Sequence, residues 1–81
     1  MNREQILKEM NDIFIDVLDV EDLVLTDDTS AEDVEEWDSL SQIILISEIE
    51  KHFHIKLDAK EVMECDNVGD MIDVIKGKLG W

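Results

Sequence analysis

The chain has 81 residues, 44% of them hydrophobic, and its 22 acidic and 7 basic residues give a formal net charge of -15 at pH 7. This length predicts one small domain over residues 1–81, with a core but without room for a deep catalytic cavity. The negative charge excludes nucleic acid and anionic membranes as partners and favours proteins that present basic docking patches.

The first predicted helix covers residues 3–18. Its apolar residues recur at helical spacing, and no proline interrupts the chain. Glu4 lies near its start, where the helix dipole favours an acidic side chain. The predicted buried face of this helix consists of Ile6, Met10, Ile13, Phe14 and Val17.

Residues 19–38 lose the helical pattern and are predicted to form a long acidic loop. Ser30 is followed three residues later by Asp33, which predicts a single capped helical turn inside the loop. A loop of this length in so small a domain is usually functional or contains such a turn. We expect the loop to bury its apolar residues intermittently, namely Val20, Leu23, Leu25, Val34 and Trp37.

The second predicted helix runs from Ser39 to about Phe53. Leu45, Ile49 and Phe53 follow one another at intervals of four, and Ile46 lies beside them, so these four residues define its buried face. At about 100° per residue, Leu40 and Ile44 project roughly 160° away from that face.

Residues 54–57 then cross to a short third helix over residues 59–64, which turns Val62 inward. Asn67 is a suitable N-cap for a last helix that ends near Gly77 or Gly80. The apolar residues of that helix are Val68, Met71, Ile72, Ile75 and Leu79. The predicted fold is therefore all-α: a small bundle of three longer helices and one short helix, with a long loop between the first two.

An apolar strip begins the second helix on the side away from the core. Leu40 and Ile44 belong to it, Ile43 and Ser47 lie at its edge, and Glu48 contributes an acidic rim. Two interpretations remain open. Either the long loop folds over the strip and buries it, or the strip is an exposed docking surface for another protein.

Ser39 allows several interpretations at the level of local sequence. With Gln42 it forms the S-x-x-Q capping box, which makes it the favoured N-cap, and Asp38 is the alternative cap. A catalytic serine is improbable because His52 lies thirteen residues further along the same helix, about 20 Å away at the usual rise. A hydroxyl at a helix N-terminus is also a favourable position for a phosphate.

The tripeptide Asp38-Ser39-Leu40, which opens the second helix after a long acidic loop, resembles the signature of the acyl carrier proteins. The resemblance extends over essentially the whole chain. It includes the approach LTDDTSAEDVEEWDSL, the exit IEKHFHIKL and the last-helix start NVGDMIDVI.

This resemblance implies that Ser39 carries covalent 4′-phosphopantetheine and that Asp38 and Leu40 help a phosphopantetheinyl transferase to recognise it. It also implies a carrier rather than an enzyme, which holds acyl or aminoacyl thioesters and presents them to loading enzymes and downstream synthases or transferases. The residues that it would present to such partners are Ile43, Ile44, Ser47 and Glu48.

The sequence departs from the carriers of fatty acid biosynthesis in its second helix. Ser41, Gln42 and Ile44 occupy the first turns, where those carriers tend to have acids, and Trp37 precedes the motif. We therefore favour a dedicated polyketide, peptide or saccharide-modifying pathway over a housekeeping role. The alternative from another class is an unmodified acidic helical adaptor.

No metal site is predicted. Asp27, Asp28, Glu32 and Asp33 lack the central glycine and the ligand spacing of an EF-hand. His52 and His54 lack the acid or cysteine partners of a metal site.

The remaining sulfur-containing residues are expected to fill the core. These are Cys65 as a small buried side chain and Met10, Met63 and Met71 as adaptable ones. A single cysteine excludes an internal disulfide and indicates a reducing compartment. The sequence has no apolar stretch of membrane-spanning length, signal peptide or lipidation motif, so we expect a cytoplasmic monomer.

Overall fold

The computed structural model describes residues 2–80. Its helices are α1 (Arg3–Leu18), α2 (Ser39–Phe53), α3 (Ala59–Met63) and α4 (Val68–Leu79), and one 3-10 turn (Ala31–Asp33) interrupts the loop between α1 and α2. The predicted all-α fold with three longer helices and one short helix is confirmed. Within residues 2–80 no helix is long and apolar enough to cross a membrane.

The core lies where α1 packs against both α2 and α4. Each of these helices buries the apolar face that its periodicity predicts, and the loop adds three side chains that close the core beneath the start of α2. The buried residues are Ile6, Met10, Phe14 and Leu18 of α1, Leu45, Ile49 and Phe53 of α2, Val68, Met71, Ile72 and Ile75 of α4, and Leu25, Val34 and Trp37 of the loop. Ile13, Val17 and Ile46 are partly buried and pack at its edge.

Two predicted core positions differ in the structure. Met63 is 83% exposed rather than buried. Because α3 has only five residues, it offers a single inward position, and Val62 occupies it.

Cys65 is half-buried, and its thiol donates a hydrogen bond to the Glu61 carbonyl oxygen at 3.2 Å. Burial raises the pKa of this thiol, and nearby acids such as Asp70 raise it further, so Cys65 is a poor nucleophile.

The long loop is fixed to the start of α4 by backbone hydrogen bonds. The Val68 amide donates to the Thr29 carbonyl oxygen at 2.8 Å, and the Gly69 amide donates to the Asp27 carbonyl oxygen at 2.9 Å. Arg3 of α1 braces the same place, because its guanidinium donates to the Asp27 carboxylate and to the Gly69 carbonyl oxygen. These contacts hold the middle of the loop against the bundle.

Gly69 is needed for this close approach. A Cβ atom at this position would lie 2.9 Å from the Asp27 carbonyl oxygen and 3.1 Å from an Arg3 guanidinium nitrogen. We therefore expect Gly69→Ala to lower the free energy of unfolding by roughly 1 to 3 kcal/mol, the usual cost of overpacking. Urea titration followed by circular dichroism measures this change.

Gly77→Ala is the matched control in the same helix. A Cβ atom there would meet nothing within 4 Å, so the better helix propensity of alanine should raise the free energy of unfolding by up to about 1 kcal/mol. If both alanine variants change stability in the same direction, the anchoring role of Gly69 is contradicted.

Candidate functional site

The first turn of α2 is capped by Asp38. Its backbone is extended, with φ -117° and ψ -172°, and its carboxylate accepts a hydrogen bond from the Ser41 amide at 2.8 Å. This hydrogen bond lowers the pKa of the Asp38 carboxyl group below its usual value. The prediction of Ser39 as the cap was therefore wrong. The capping geometry leaves Ser39 as the first residue inside the helix.

Ser39 is exposed and borders a cleft of about 320 Å³. The cleft lies between the start of α2, the 3-10 turn and the junction of α3 with α4. Its wall is formed by Ala31, Trp37, Asp38, Gln42, Cys65, Asp66, Asn67 and Met71. An exposed primary hydroxyl beside an open cleft is available for modification, and within residues 2–80 neither histidine lines this cleft.

Sequence analysis missed three contacts around Ser39. The buried Trp37 ring packs edge-on against Phe14, with centroids 4.9 Å apart, and its indole N–H donates to Gln42 Oε1 at 2.5 Å. The Ser41 hydroxyl donates to the Glu36 carbonyl oxygen at 3.0 Å. The only local signal for these contacts was the run of polar side chains directly after Trp37. The Trp37 ring attaches the segment before Ser39 to the core, and the two hydrogen bonds join this segment to the first turn of α2.

The histidines do not take part in this site. His52 Nε2 lies 2.8 Å from the Glu9 carboxylate of α1, which is a single acidic partner and not the ligand set of a metal site. This contact arises from the packing of α1 against α2, which joins residues far apart in sequence. His54 ends α2 in the left-handed conformation, with φ 57°. Residues 2–80 contain no group of three or more side chains arranged to hold a metal ion.

The apolar strip of α2, Leu40, Ile43 and Ile44, lies open to solvent. These side chains are 70%, 69% and 46% exposed, respectively, so the loop does not cover them. Ser47 is exposed and Glu48 is half-buried on the same helix. Beside the strip, α2 and α3 enclose an open groove of about 450 Å³, whose lining includes Ile43, Ile46 and Met63. The structure thus places the predicted partner-facing residues on α2, the helix that begins with Ser39.

Comparison with known proteins identifies the family. Residues 8–75 match the family model described as "Phosphopantetheine attachment site". The chain is 29% identical over 79 residues to an acyl carrier protein of Thermotoga maritima, covering 98% of each chain. It is 31% identical over 75 residues to an acyl carrier protein of Rubrobacter xylanophilus, covering 93% of each.

A solved structure agrees with these relatives. The solution NMR structure of holo acyl carrier protein from Geobacter metallireducens superposes with a TM-score of 0.86 at 42% identity, covering 91% of this chain and 85% of that one. The chain therefore belongs to the acyl carrier protein family, and it is a phosphopantetheine-bearing carrier, not a catalyst.

Proposed function

We propose that Ser39 is the attachment point of 4′-phosphopantetheine and that the protein holds acyl or aminoacyl intermediates on this arm. The observation that carries the proposal is the exposed Ser39 hydroxyl directly after the Asp38 cap. When bound, the arm supplies a thiol on which a thioester forms. The protein contributes the attachment point, the cleft beside it and the surface that partners recognise.

The residues around Ser39 fit this group. The hydroxyl is accessible to a transferase, and the cleft beside it is wide enough for a slender polar chain. The first-turn amides of α2 and the helix dipole favour a phosphodiester at this end of the helix. Asp38 opposes it by charge, but its carboxylate is occupied by the Ser41 amide. Asp38 and Leu40 are the proposed recognition residues of the phosphopantetheinyl transferase.

Intact-mass measurement tests the attachment. The protein is produced in cells with and without a phosphopantetheinyl transferase, and peptide fragmentation locates the added mass. We expect a mass gain equal to one phosphopantetheine group, confined to the peptide that contains Ser39. An unmodified protein in the presence of a competent transferase would instead favour the acidic adaptor.

The partner surface that we propose is the apolar strip together with Ser47, Glu48 and the acidic end of the loop. The exposed Ile44 supports a dedicated polyketide, peptide or saccharide-modifying pathway rather than housekeeping fatty acid synthesis, because an apolar side chain there suits a partner with an apolar contact. We further propose that residues 1–81 act as one cytoplasmic, monomeric carrier domain. Its partners are the transferase, a loading enzyme and downstream enzymes with basic docking patches.

Ile44→Glu should weaken binding to the cognate loading enzyme because a desolvated apolar contact is lost. We expect the dissociation rate to rise and the association rate to stay unchanged. We also expect the substitution to improve recognition by a fatty-acid-synthesis enzyme. Stopped-flow binding measures both rates. Val24→Glu is the matched control, since Val24 is 77% exposed on the loop and lies outside the proposed surface. If the Ile44→Glu variant binds the loading enzyme as tightly as the original protein does, the docking role of the apolar strip is contradicted.

Neutralising Asp33, Glu35 and Glu36 together should slow association and flatten its dependence on salt, since all three acids are exposed just before Ser39. The substitutions are Asp33→Asn, Glu35→Gln and Glu36→Gln. Asp33→Asn retains an oxygen acceptor for the Ser30 amide. The control neutralises the exposed acids Glu4, Asp12 and Asp16 of α1, which changes the net charge equally. The loop acids have no steering role if both triple variants show the same salt slope.

A further inference from the structure

Gln42 lies where two depressions meet. It lines the cleft beside Ser39, and it also lines the groove between α2 and α3. It follows Ser39 by three residues on α2, and residues with this spacing on a helix have Cβ atoms about 5–6 Å apart. The side chain is half-buried, so it is held at the surface of both depressions rather than extended into solvent.

Trp37 determines which way the Gln42 amide faces. An indole N–H is a donor only, so the atom that it contacts at 2.5 Å must be the amide oxygen and not the amide nitrogen. The Trp37 ring itself is 8% exposed and is held against Phe14. Within residues 2–80, the hydrogen bonding of this side chain engages Oε1, which leaves the two N–H groups of the amide as donors.

We propose that the Gln42 amide N–H groups donate hydrogen bonds to the phosphodiester end of the arm on Ser39, and that Trp37 orients them for this contact. The inference rests on the proposed attachment at Ser39. A neutral donor suits this position because the surrounding acids would repel a phosphate, whereas the amide offers N–H groups without adding negative charge. Gln42 is thus a positioning residue that sets the direction in which the arm leaves the helix.

The experiment compares apo and holo protein labelled with ¹⁵N, after intact mass has verified the modification. On modification, the side-chain N–H resonances of Gln42 should shift and exchange more slowly with solvent. Gln5 is the internal control, because it is the other glutamine of the chain and lies exposed on α1. Its side-chain resonances should not change.

Two variants separate the contact from a purely structural role. Gln42→Glu keeps an oxygen acceptor for Trp37 but removes the N–H donors. The Trp37 indole resonance should therefore persist, whereas the ³¹P resonance of the arm should shift and show that the phosphodiester is more mobile. Trp37→Phe keeps an aromatic ring but removes the orienting donor. We expect this substitution to lower the equilibrium constant for the hydrogen bond between Gln42 and the arm about fivefold, the effect of losing one ordinary hydrogen bond.

The outcomes distinguish the two proposals. A holo protein of the expected mass in which the Gln42 side-chain resonances stay unchanged would overturn the role of Gln42 and leave the attachment at Ser39 intact. A protein that gains no mass from a competent transferase would overturn the attachment, and the Gln42 inference would fall with it.

Discussion

Ser39→Ala is expected to fold normally and to gain no mass from a phosphopantetheinyl transferase. The substitution removes the hydroxyl that accepts the arm, so modification should be abolished rather than reduced. Stability should change by less than about 0.5 kcal/mol, because the exposed Ser39 side chain does not cap the helix. Intact mass after treatment with coenzyme A and the transferase, together with urea unfolding, measures both quantities.

Two control variants make this result specific. Thr26→Val removes an exposed hydroxyl from the loop, outside the proposed partner surface, and should be modified fully. Asp38→Ala removes the cap and should cost about 1 kcal/mol of stability while it leaves the Ser39 hydroxyl in place. If Ser39→Ala still gains the mass of the arm, the attachment site lies elsewhere.

Leu45→Ala and Ile49→Ala should each lower the free energy of unfolding by roughly 2 to 5 kcal/mol. Both side chains are fully buried where α2 packs against α1, so truncation leaves a cavity that the neighbouring helices fill only in part. A domain of this size is stable by only about 5 to 10 kcal/mol. Either substitution therefore removes a large share of the total stability.

Ile44→Ala is the matched comparison for these core variants. Ile44 directly precedes Leu45 on α2 but is 46% exposed, so we expect a loss below about 1 kcal/mol. Urea midpoints compared at an unchanged m-value give the differences directly. Should Ile44→Ala prove as destabilising as Leu45→Ala, the assignment of the apolar strip to the surface would have to be abandoned.

The three longer helices could be predicted from sequence because each one repeats apolar residues over at least three turns. α3 shows the limit of that signal. With five residues it has little more than one turn, so the apolar pattern does not repeat and could not separate the half-buried Val62 from the exposed Met63. The N-cap of α2 was ambiguous for a different reason. Asp38 and Ser39 both have capping side chains, and only backbone geometry decides between them.

Long-range contacts were beyond the sequence pattern. His52 and Glu9 meet because α1 packs on α2, and their residue types alone give no indication that they pair. Trp37 was predicted to be buried, which the structure confirms, but its bond to Gln42 depends on how the loop enters the helix. The anchoring of the loop uses main-chain groups of Asp27 and Thr29, which leave no side-chain signature.

The attachment of the loop at Asp27 and Thr29 divides one long connection into two short ones. The cost of closing a loop rises only slowly with its length, so residues added between the exposed Glu21 and Asp22 would be accommodated before Asn11 of α1 holds Leu23 and Leu25 by hydrogen bonds. Residues added between positions 30 and 38 would instead displace Ser39 relative to its cleft. Evolution of this chain is therefore free to lengthen the loop near its start, whereas the part that leads to Ser39 is constrained in length by the geometry of the proposed attachment serine.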